Sequence, residues 1–285
     1  MAEMTTGARI GPRLAVLLGF AILVAARLPG LWPDGRLWAE EGVVYLEAAW
    51  TAPWYAAALT VHTGYLNLPA SIAATLAVHL VSLEHVPQVT MLFALAVQLV
   101  PAVILATSGI AWLQDWRVLG VALLWLGVVP TTEEVWLNSI TSQFHVTLAV
   151  ALLVAAPISR GRIRWLHDAV LLLAPFCGPV AGALLPLLAL RGWLDRSRHR
   201  WAQAGLLLPG VLVQVVVMLT HPEPARTVAV ADLPVMLAAV TGNQILRSLL
   251  GIRAASWLMR GAAAVFASGH WEIAAMLAPF PWFGA

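Results

Sequence analysis

Val86-Pro87-Gln88-Val89-Thr90-Met91-Leu92-Phe93-Ala94-Leu95-Ala96-Val97-Gln98-Leu99-Val100-Pro101-Ala102-Val103-Ile104-Leu105 opens an apolar block that continues to Leu113. A helix needs roughly 20 residues to cross ~30 Å of hydrocarbon, and this block exceeds that length. Further apolar blocks lie at Leu14–Ala26, Leu68–Leu83, Val118–Val129, Ile140–Ala156, Ala169–Leu190, Ala204–Leu219 and Leu233–Ile252. Their periodicity is helical. No sustained alternation of period two marks a transmembrane barrel. The expected fold is all-α: a polytopic transmembrane helix bundle with short or re-entrant helices and an amphipathic outer-loop helix, forming one domain over 1–285.

Composition agrees with that reading. Of 285 residues, 61% are hydrophobic and 11% charged, and the mean hydropathy is +0.84. A soluble domain carries about 25% charged residues, so this chain has too few to cover a soluble surface. All 16 basic residues are arginine. Cys177 is the single cysteine, which excludes an intramolecular disulfide and a multi-cysteine metal site. It reads as a small buried hydrophobe.

Arginine position sets orientation, because basic residues mark the cytoplasmic side of a membrane helix. Arg9 and Arg13 precede the first block, which lacks a small-residue cleavage site and reads as a retained signal anchor. The expected location is the inner or plasma membrane of the cell, multi-pass, with a cytoplasmic N-terminus. Segment 33–67 then lies outside, with Asp34, Arg36, Glu40, Glu41 and Glu47. Arg160, Arg162 and Arg164, then Arg191, Arg196, Arg198 and Arg200, should lie inside.

Two arginine clusters on one side leave Ala169–Leu190 to depart and return. Pro175, Cys177-Gly178-Pro179, Gly182 and Pro186 suit a re-entrant hairpin of two half-helices. The alternative is an ordinary span with one cluster outside. Pro101 poses a similar choice. If it splits Val86–Leu113 into two spans, Glu133 and Glu134 face the same side as Glu40 and Glu41. If the block is one tilted helix, the acidic pairs face opposite sides. The cluster at 160–164 favours the split. His79 and His85 then form a helix-end pair at the cytoplasmic surface.

The first outer loop concentrates chemistry. Asp34-Gly35-Arg36-Leu37-Trp38-Ala39-Glu40-Glu41-Gly42 leads into a short amphipathic helix over Val43–Trp50, with Tyr45 four residues beyond Glu41 and on its face. Trp32, Trp38, Trp50, Trp54 and Tyr55 supply interfacial aromatics. His62, Tyr65 and Asn67 follow. A carboxylate held near lipid has a raised pKa unless cations or hydrogen bonds offset it, which suits a general base acting on a hydroxyl. The plainer reading is a solvated acidic loop. A second cluster comprises Glu133, Glu134 and Asn138, then Ser142, Gln143 and His145. Asn138, Ser142 and His145 share a face if the helix starts early. It reads either as a sugar- or phosphate-binding rim or as interhelical hydrogen bonding. Arg247 either grips a lipid phosphate or snorkels to headgroups.

Several classes are excluded. No His-Glu-x-x-His or cysteine cluster marks a metal site, and neighbouring glutamates do not specify a divalent cation, so the cofactor stays open. No Gly-rich nucleotide loop is present. The arginine loops follow the orientation rule and give no reason to expect nucleic acid.

Leu37-Trp38-Ala39-Glu40-Glu41-Gly42-Val43-Val44-Tyr45, then His62-Thr63-Gly64-Tyr65-Leu66-Asn67-Leu68-Pro69, resembles the first outer loop of bacterial multi-span glycosyltransferases of the GT-C fold. Glu134-Val135-Trp136-Leu137-Asn138 with Gln143-Phe144-His145, and Gly178-Pro179 before Leu184-Leu185-Pro186-Leu187, are similar to later segments of that group. The resemblance covers about residues 14–200. It implies transfer of a sugar from a polyprenyl-phosphate donor to an acceptor hydroxyl, on a glycan or lipid, at the outer face. Glu40 or Glu41 would be the base, with Glu41 standing where the family often has Asp. Asp34, His62 and Tyr65 would orient substrate. Glu133, Glu134, Asn138, Gln143 and His145 would line the cavity, and Arg247 would hold the donor phosphate. Membrane lipids and a membrane-protein partner are the other expected contacts. The family also implies a larger C-terminal region than this chain has. A transporter or lipid flippase with broken helices, and a non-catalytic membrane subunit, are the alternatives.

Overall fold

The computed structural model describes residues 7–128, 135–159, 161–222, 251, 253–258 and 261. The chain divides into two compact units, Met1–Pro222 and Glu223–Ala285. The first holds helices α1 (Gly7–Ala25), α2 (Glu47–Thr51), α3 (Trp54–Ala57), α4 (Leu68–Leu80), α5 (Val86–Gln98), α6 (Val100–Thr107), α7 (Trp116–Val128), α8 (Ser142–Ala155), α9 (Arg162–Leu173), α10 (Leu185–Leu194) and α11 (Arg198–Thr220). A two-stranded antiparallel hairpin, β1 (Val61–His62) and β2 (Tyr65–Leu66), joins α3 to α4. The fold is all-α apart from that hairpin.

Leu83–Thr107 and Arg198–Thr220 are long and apolar enough to cross a membrane. The first of them corrects the expectation of a split at Pro101. Leu99 N bonds Leu95 O, and Val103 N bonds Leu99 O, so the backbone passes through the proline without reversing. The ring removes one donor, and the helix continues beyond it.

Cross-bundle hydrogen bonds fix the directions. Arg13, early in α1, donates to Leu113 O and Gln114 O at 3.1 Å and to Ala106 O. Arg27, after α1, donates to Gly127 O. Hence α1 and α7 run parallel, and α6 ends where α1 starts. Gln88 Nε2 donates to Pro33 O at 3.2 Å, which places the start of α5 beside the end of α1. The bundle therefore has an acidic-loop end, near Pro33, and an opposite end.

The short helix α4, and not a break at Pro101, supplies the change of parity. Its first residues, Leu68 and Pro69, meet Val97 and Val100 around one apolar cavity, midway along Leu83–Thr107. Its last residues lead into α5 at the acidic-loop end. α4 is thus a half-length helix that starts deep in the bundle and returns. His79 and His85 consequently lie at the acidic-loop end, not with the arginine clusters.

The segment Arg162–Leu194 also turns back. α9 runs inward, 3-10 turns at Ala174–Cys177 and Pro179–Leu184 carry the reversal, and α10 returns. Gln203 Nε2 bonds Asp168 Oδ1 at 3.4 Å, and Asp168 pairs with Arg164. Arg191 bonds the carbonyls of Val154 and Ala155. Both described arginine clusters therefore gather at the end opposite the acidic loop.

Three apolar clusters hold the unit together. One joins α6, α8, α9, α10 and α11 around Ile104, Val150, Leu171, Leu188 and Leu207. A second joins α1, α5, α6 and α7 around Val24, Met91, Leu119 and Leu123. The third lies beneath the acidic loop and is built from Tyr45 and the alanines Ala49, Ala57, Ala70 and Ala74. Small residues there let backbones approach closely. Outward stripes are also apolar. Leu14, Leu18 and Ile22 on α1, and Val118, Val121, Trp125 and Val128 on α7, are exposed at helical spacing.

Candidate functional site

The two adjacent glutamates have opposite surroundings. Glu41 is buried, with 2% exposure. Its Oε2 accepts from Trp38 N at 2.7 Å, and its Oε1 accepts from Ser139 N and Ser139 Oγ, each at 2.6 Å. The bond to Trp38 is the backward reach of a capping-box glutamate three residues into a turn. The bonds to Ser139 tie the first loop to a segment 98 positions away. Burial raises the Glu41 pKa, against the hydrogen bonds from Ser139 and Trp38 and the nearby Arg36 charge.

Glu40 faces the other way. Its side chain is 42% exposed, and its Oε1 lies 4.0 Å from Nε2 of His62, itself 30% exposed. The His62 ring meets Tyr45 edge-on at 6.2 Å. Burial pushes the Tyr45 phenol up, so it stays protonated. Glu40 is the accessible carboxylate, while Glu41 is a fixed strut.

The helix carrying them starts irregularly. Glu41–Leu46 forms a π-helical turn before α2, the kind of local insertion that recurs at functional sites. The expected amphipathic helix over Val43–Trp50 is present, with Glu41 and Tyr45 on its buried face. Four non-glycine residues in the described chain have positive φ, and three border this region: Ala39 at 44°, Thr63 at 50° and Leu137 at 55°. Such conformations cost of order 1–3 kcal/mol each and persist where neighbours over-determine them. At Leu137 the holder is visible. Gln98 Oε1 accepts from Leu137 N at 3.2 Å, and Gln98 Nε2 donates to Val135 O at 3.3 Å.

Tyr65 and Gln143 come together, with Gln143 Nε2 donating to the Tyr65 hydroxyl at 3.4 Å. Gly178 packs against Gln143 at φ 142°, where any Cβ would collide with Gln143 Oε1. Gln214 clamps Leu66 from the far side. Its Oε1 accepts from Leu66 N at 3.1 Å, and its Nε2 donates to Leu66 O at 2.9 Å and Pro175 O at 2.8 Å. Asn67 donates to Ile140 O at 2.9 Å. Its Oδ1, with Ser71 Oγ and Ser142 Oγ, is buried without a hydrogen-bond partner among the described residues.

The other expected site residues divide. Asn138 does not share a face with Ser142 and His145, because α8 starts later than expected. Its Oδ1 instead accepts from Thr141 N and Oγ1, at 2.9 and 2.8 Å, and closes the turn before α8. His145 bonds Val135 O at 3.0 Å, and its ring lies 5.3 Å from that of Trp136, tilted by 57°. Asp34 is exposed in the turn before Gly35 and joins none of these clusters through an ion pair among the described residues. Glu133, Glu134 and Arg247 lie outside the described residues. No group of three or more His, Cys, Asp or Glu that could hold a metal is found among the described residues.

Ser139, Gln98 and Gln214 are not singled out by the sequence. For the two glutamines a signal existed: a lone polar side chain inside an apolar block usually faces the bundle interior. Together the residues make a braced platform, with one exposed carboxylate–imidazole pair at its edge. The two groups are 4.0 Å apart, a distance of ion pairing and not of a direct hydrogen bond.

No protein-family model, curated protein or solved structure matches the chain.

Proposed function

We propose that the chain is a multi-pass membrane enzyme that transfers a sugar from a polyprenyl-phosphate donor to an acceptor hydroxyl, with Glu40 as general base. Membrane embedding is supported by the two long apolar helices and by the exposed apolar stripes of α1 and α7. A contiguous apolar surface is covered by lipid or by another protein. The observation that carries the catalytic reading is the division of labour between the twin glutamates. Glu41 is saturated with donors and welds two loops, which leaves Glu40 accessible beside His62 on a rigid base.

The reaction closes on these groups. The acceptor oxygen attacks the anomeric carbon as its proton passes to Glu40. The bond between that carbon and the phosphate oxygen breaks, and the lipid phosphate leaves. His62 takes the proton onward from Glu40 and resets it. The aromatic side chains Trp50, Trp54 and Tyr55 are exposed on the same loop and suit an interfacial substrate.

The test is a transfer assay in membranes, supplied with polyprenyl-phosphate sugars. Glu40→Gln should lower turnover by roughly 10²–10⁴-fold, the usual worth of a general base, without loss of folded protein. Wild-type turnover in that variant removes Glu40 from the chemistry.

A transporter or flippase is the second reading. It is favoured by the half-helix α4 and the α9–α10 turn, which meet inside the bundle where Gln214 bonds both Leu66 and Pro175. Discontinuous helices of this kind mark binding sites in transporters. Uptake or flipping of a lipid-linked sugar without covalent product would select it.

A further inference from the structure

We propose that the groove between α10 and α11, at the end of the bundle far from Glu40, binds the headgroup of an anionic phospholipid. The inference rests on membrane embedding and is independent of the reaction. The groove has a volume of about 500 Å³ and is lined by Gly192, Trp193, Leu194, Arg196, Arg198 and Trp201.

Charge complementarity identifies the occupant. Four arginines and one aspartate stand between Arg191 and Arg200. Asp195 is engaged by two of them, at 3.1 Å from Arg191 Nε and 3.8 Å from Arg200 Nε. Arg191 and Arg200 also spend their guanidinium groups on carbonyls of α8. Arg196 and Arg198 are exposed and make no ion pair among the described residues. Both line the groove. Guanidinium groups match the geometry of a phosphate.

Two further features specify a lipid and not a free anion. Trp193 and Trp201 are exposed on the groove walls, as indole side chains are at the level of headgroups. Below them two apolar stripes lead away from the arginines. Leu187, Leu190 and Leu194 are exposed along α10, and Trp201, Leu208 and Leu212 along α11, each set at helical spacing. Acyl chains lying on those stripes bring the phosphate to Arg196 and Arg198. Arg196 has φ 48° because it closes α10: its N–H bonds Trp193 O at 3.3 Å and Ser197 N bonds Gly192 O at 3.1 Å.

The experiment is native mass spectrometry of the full chain, released from nanodiscs that contain phosphatidylglycerol or phosphatidylcholine. Phosphatidylglycerol should be retained in preference. The double variant Arg196→Gln, Arg198→Gln should weaken that retention on the order of 30-fold, from roughly fivefold per arginine. Arg196→Lys with Arg198→Lys should fall between the two. Equal retention of both lipids, or wild-type retention by the glutamine variant, overturns the proposal. So does inorganic phosphate that displaces nothing from the lysine variant yet stabilises the wild-type chain as much as the lipid does. Unchanged circular dichroism and melting in neutral detergent verify that the variants fold. Resistance of the chain to alkaline extraction from membranes reads out embedding separately, so failure of the headgroup site and failure of the membrane reading are distinguished.

Discussion

Glu41 and Arg200 sit at opposite ends of α8, about 20 Å apart at 1.5 Å per residue, and each is a buried charge. Glu41 lies at the start, bound to Ser139, which precedes the helix. Arg200 lies at the end, with 1% exposure, donating to Leu153 O at 2.9 Å and to Ala156 O. An anion at the N-terminus and a cation at the C-terminus both complement the helix dipole. The device is the same with the sign reversed. The surroundings differ. Around Glu41 the neighbouring Glu40 is left exposed and the backbone is strained at Ala39 and Leu137, whereas the positive φ near Arg200, at Arg196, closes the C-terminus of α10. Around Arg200 the neighbouring acid, Asp195, is consumed by ion pairs. One end of α8 is braced beside an accessible carboxylate, Glu40. The other end is braced beside two exposed arginines, Arg196 and Arg198.

The largest effects should come from removing either brace. Glu41→Ala leaves the N–H groups of Ser139 and Trp38 buried without acceptors. Arg200→Ala leaves the carbonyls of Leu153 and Ala156 without donors. Losing one member of a buried charged network costs about 3–5 kcal/mol. Thermal unfolding in detergent should show both variants destabilised to a similar degree. A large loss for one and none for the other would break the symmetry between the two ends.

Gly178→Ala is expected to follow, at about 2 kcal/mol or more. The added methyl must displace Gln143 and adopt φ near 142°. Because Gln143 reaches Tyr65, the same variant should lower activity more than its stability loss explains. Activity falling only in proportion to folded protein would disconnect the α9–α10 turn from the site.

These particular residues also show where the sequence was legible. The proline and glycine breaks between Pro175 and Pro186 read as a hairpin, and the chain does turn back there, because several breaks in twelve positions leave no uninterrupted helix. Pro101 is ambiguous in the sequence, since one missing N–H is equally compatible with a reversal or with a helix that continues past it. Only the bonds at Leu95, Leu99 and Val103 decide. The twin glutamates could be located but not told apart. Adjacent residues on a helix point in different directions, and which one is buried depends on Ser139, far away in the chain. Gln98 and Gln214 are legible as lone polar side chains inside apolar blocks, but their partners lie far away in the chain.

A smaller effect is set by pH. The Glu41 pKa is raised in the folded chain, mainly by burial, above an ordinary value of 4.5. A raised folded pKa means that the native state binds the proton more tightly than the unfolded chain does. The Glu41 contribution is therefore most favourable below about 4.5 and is lost as pH rises through the folded pKa. The wild-type chain should gain stability, relative to Glu41→Gln, as pH falls from neutral towards that value. Parallel pH profiles for the two proteins would mean that Glu41 titrates as an exposed acid does.

The smallest effect should belong to Glu40. It is 4.0 Å from His62, and both side chains are substantially exposed. Such pairs contribute about 0–1 kcal/mol. Glu40→Gln should thus leave the unfolding midpoint within about 0.5 kcal/mol of wild type while abolishing most turnover. Glu41→Gln should do the reverse, lowering stability first and activity through it. If both variants lose stability equally, the adjacent carboxylates share one structural role, and the distinction between the braced and the exposed glutamate disappears. If Glu40→Gln alone loses turnover at unchanged stability, the strain around Ala39 and Leu137 has a purpose: it holds Glu41 inward so that Glu40 must face out.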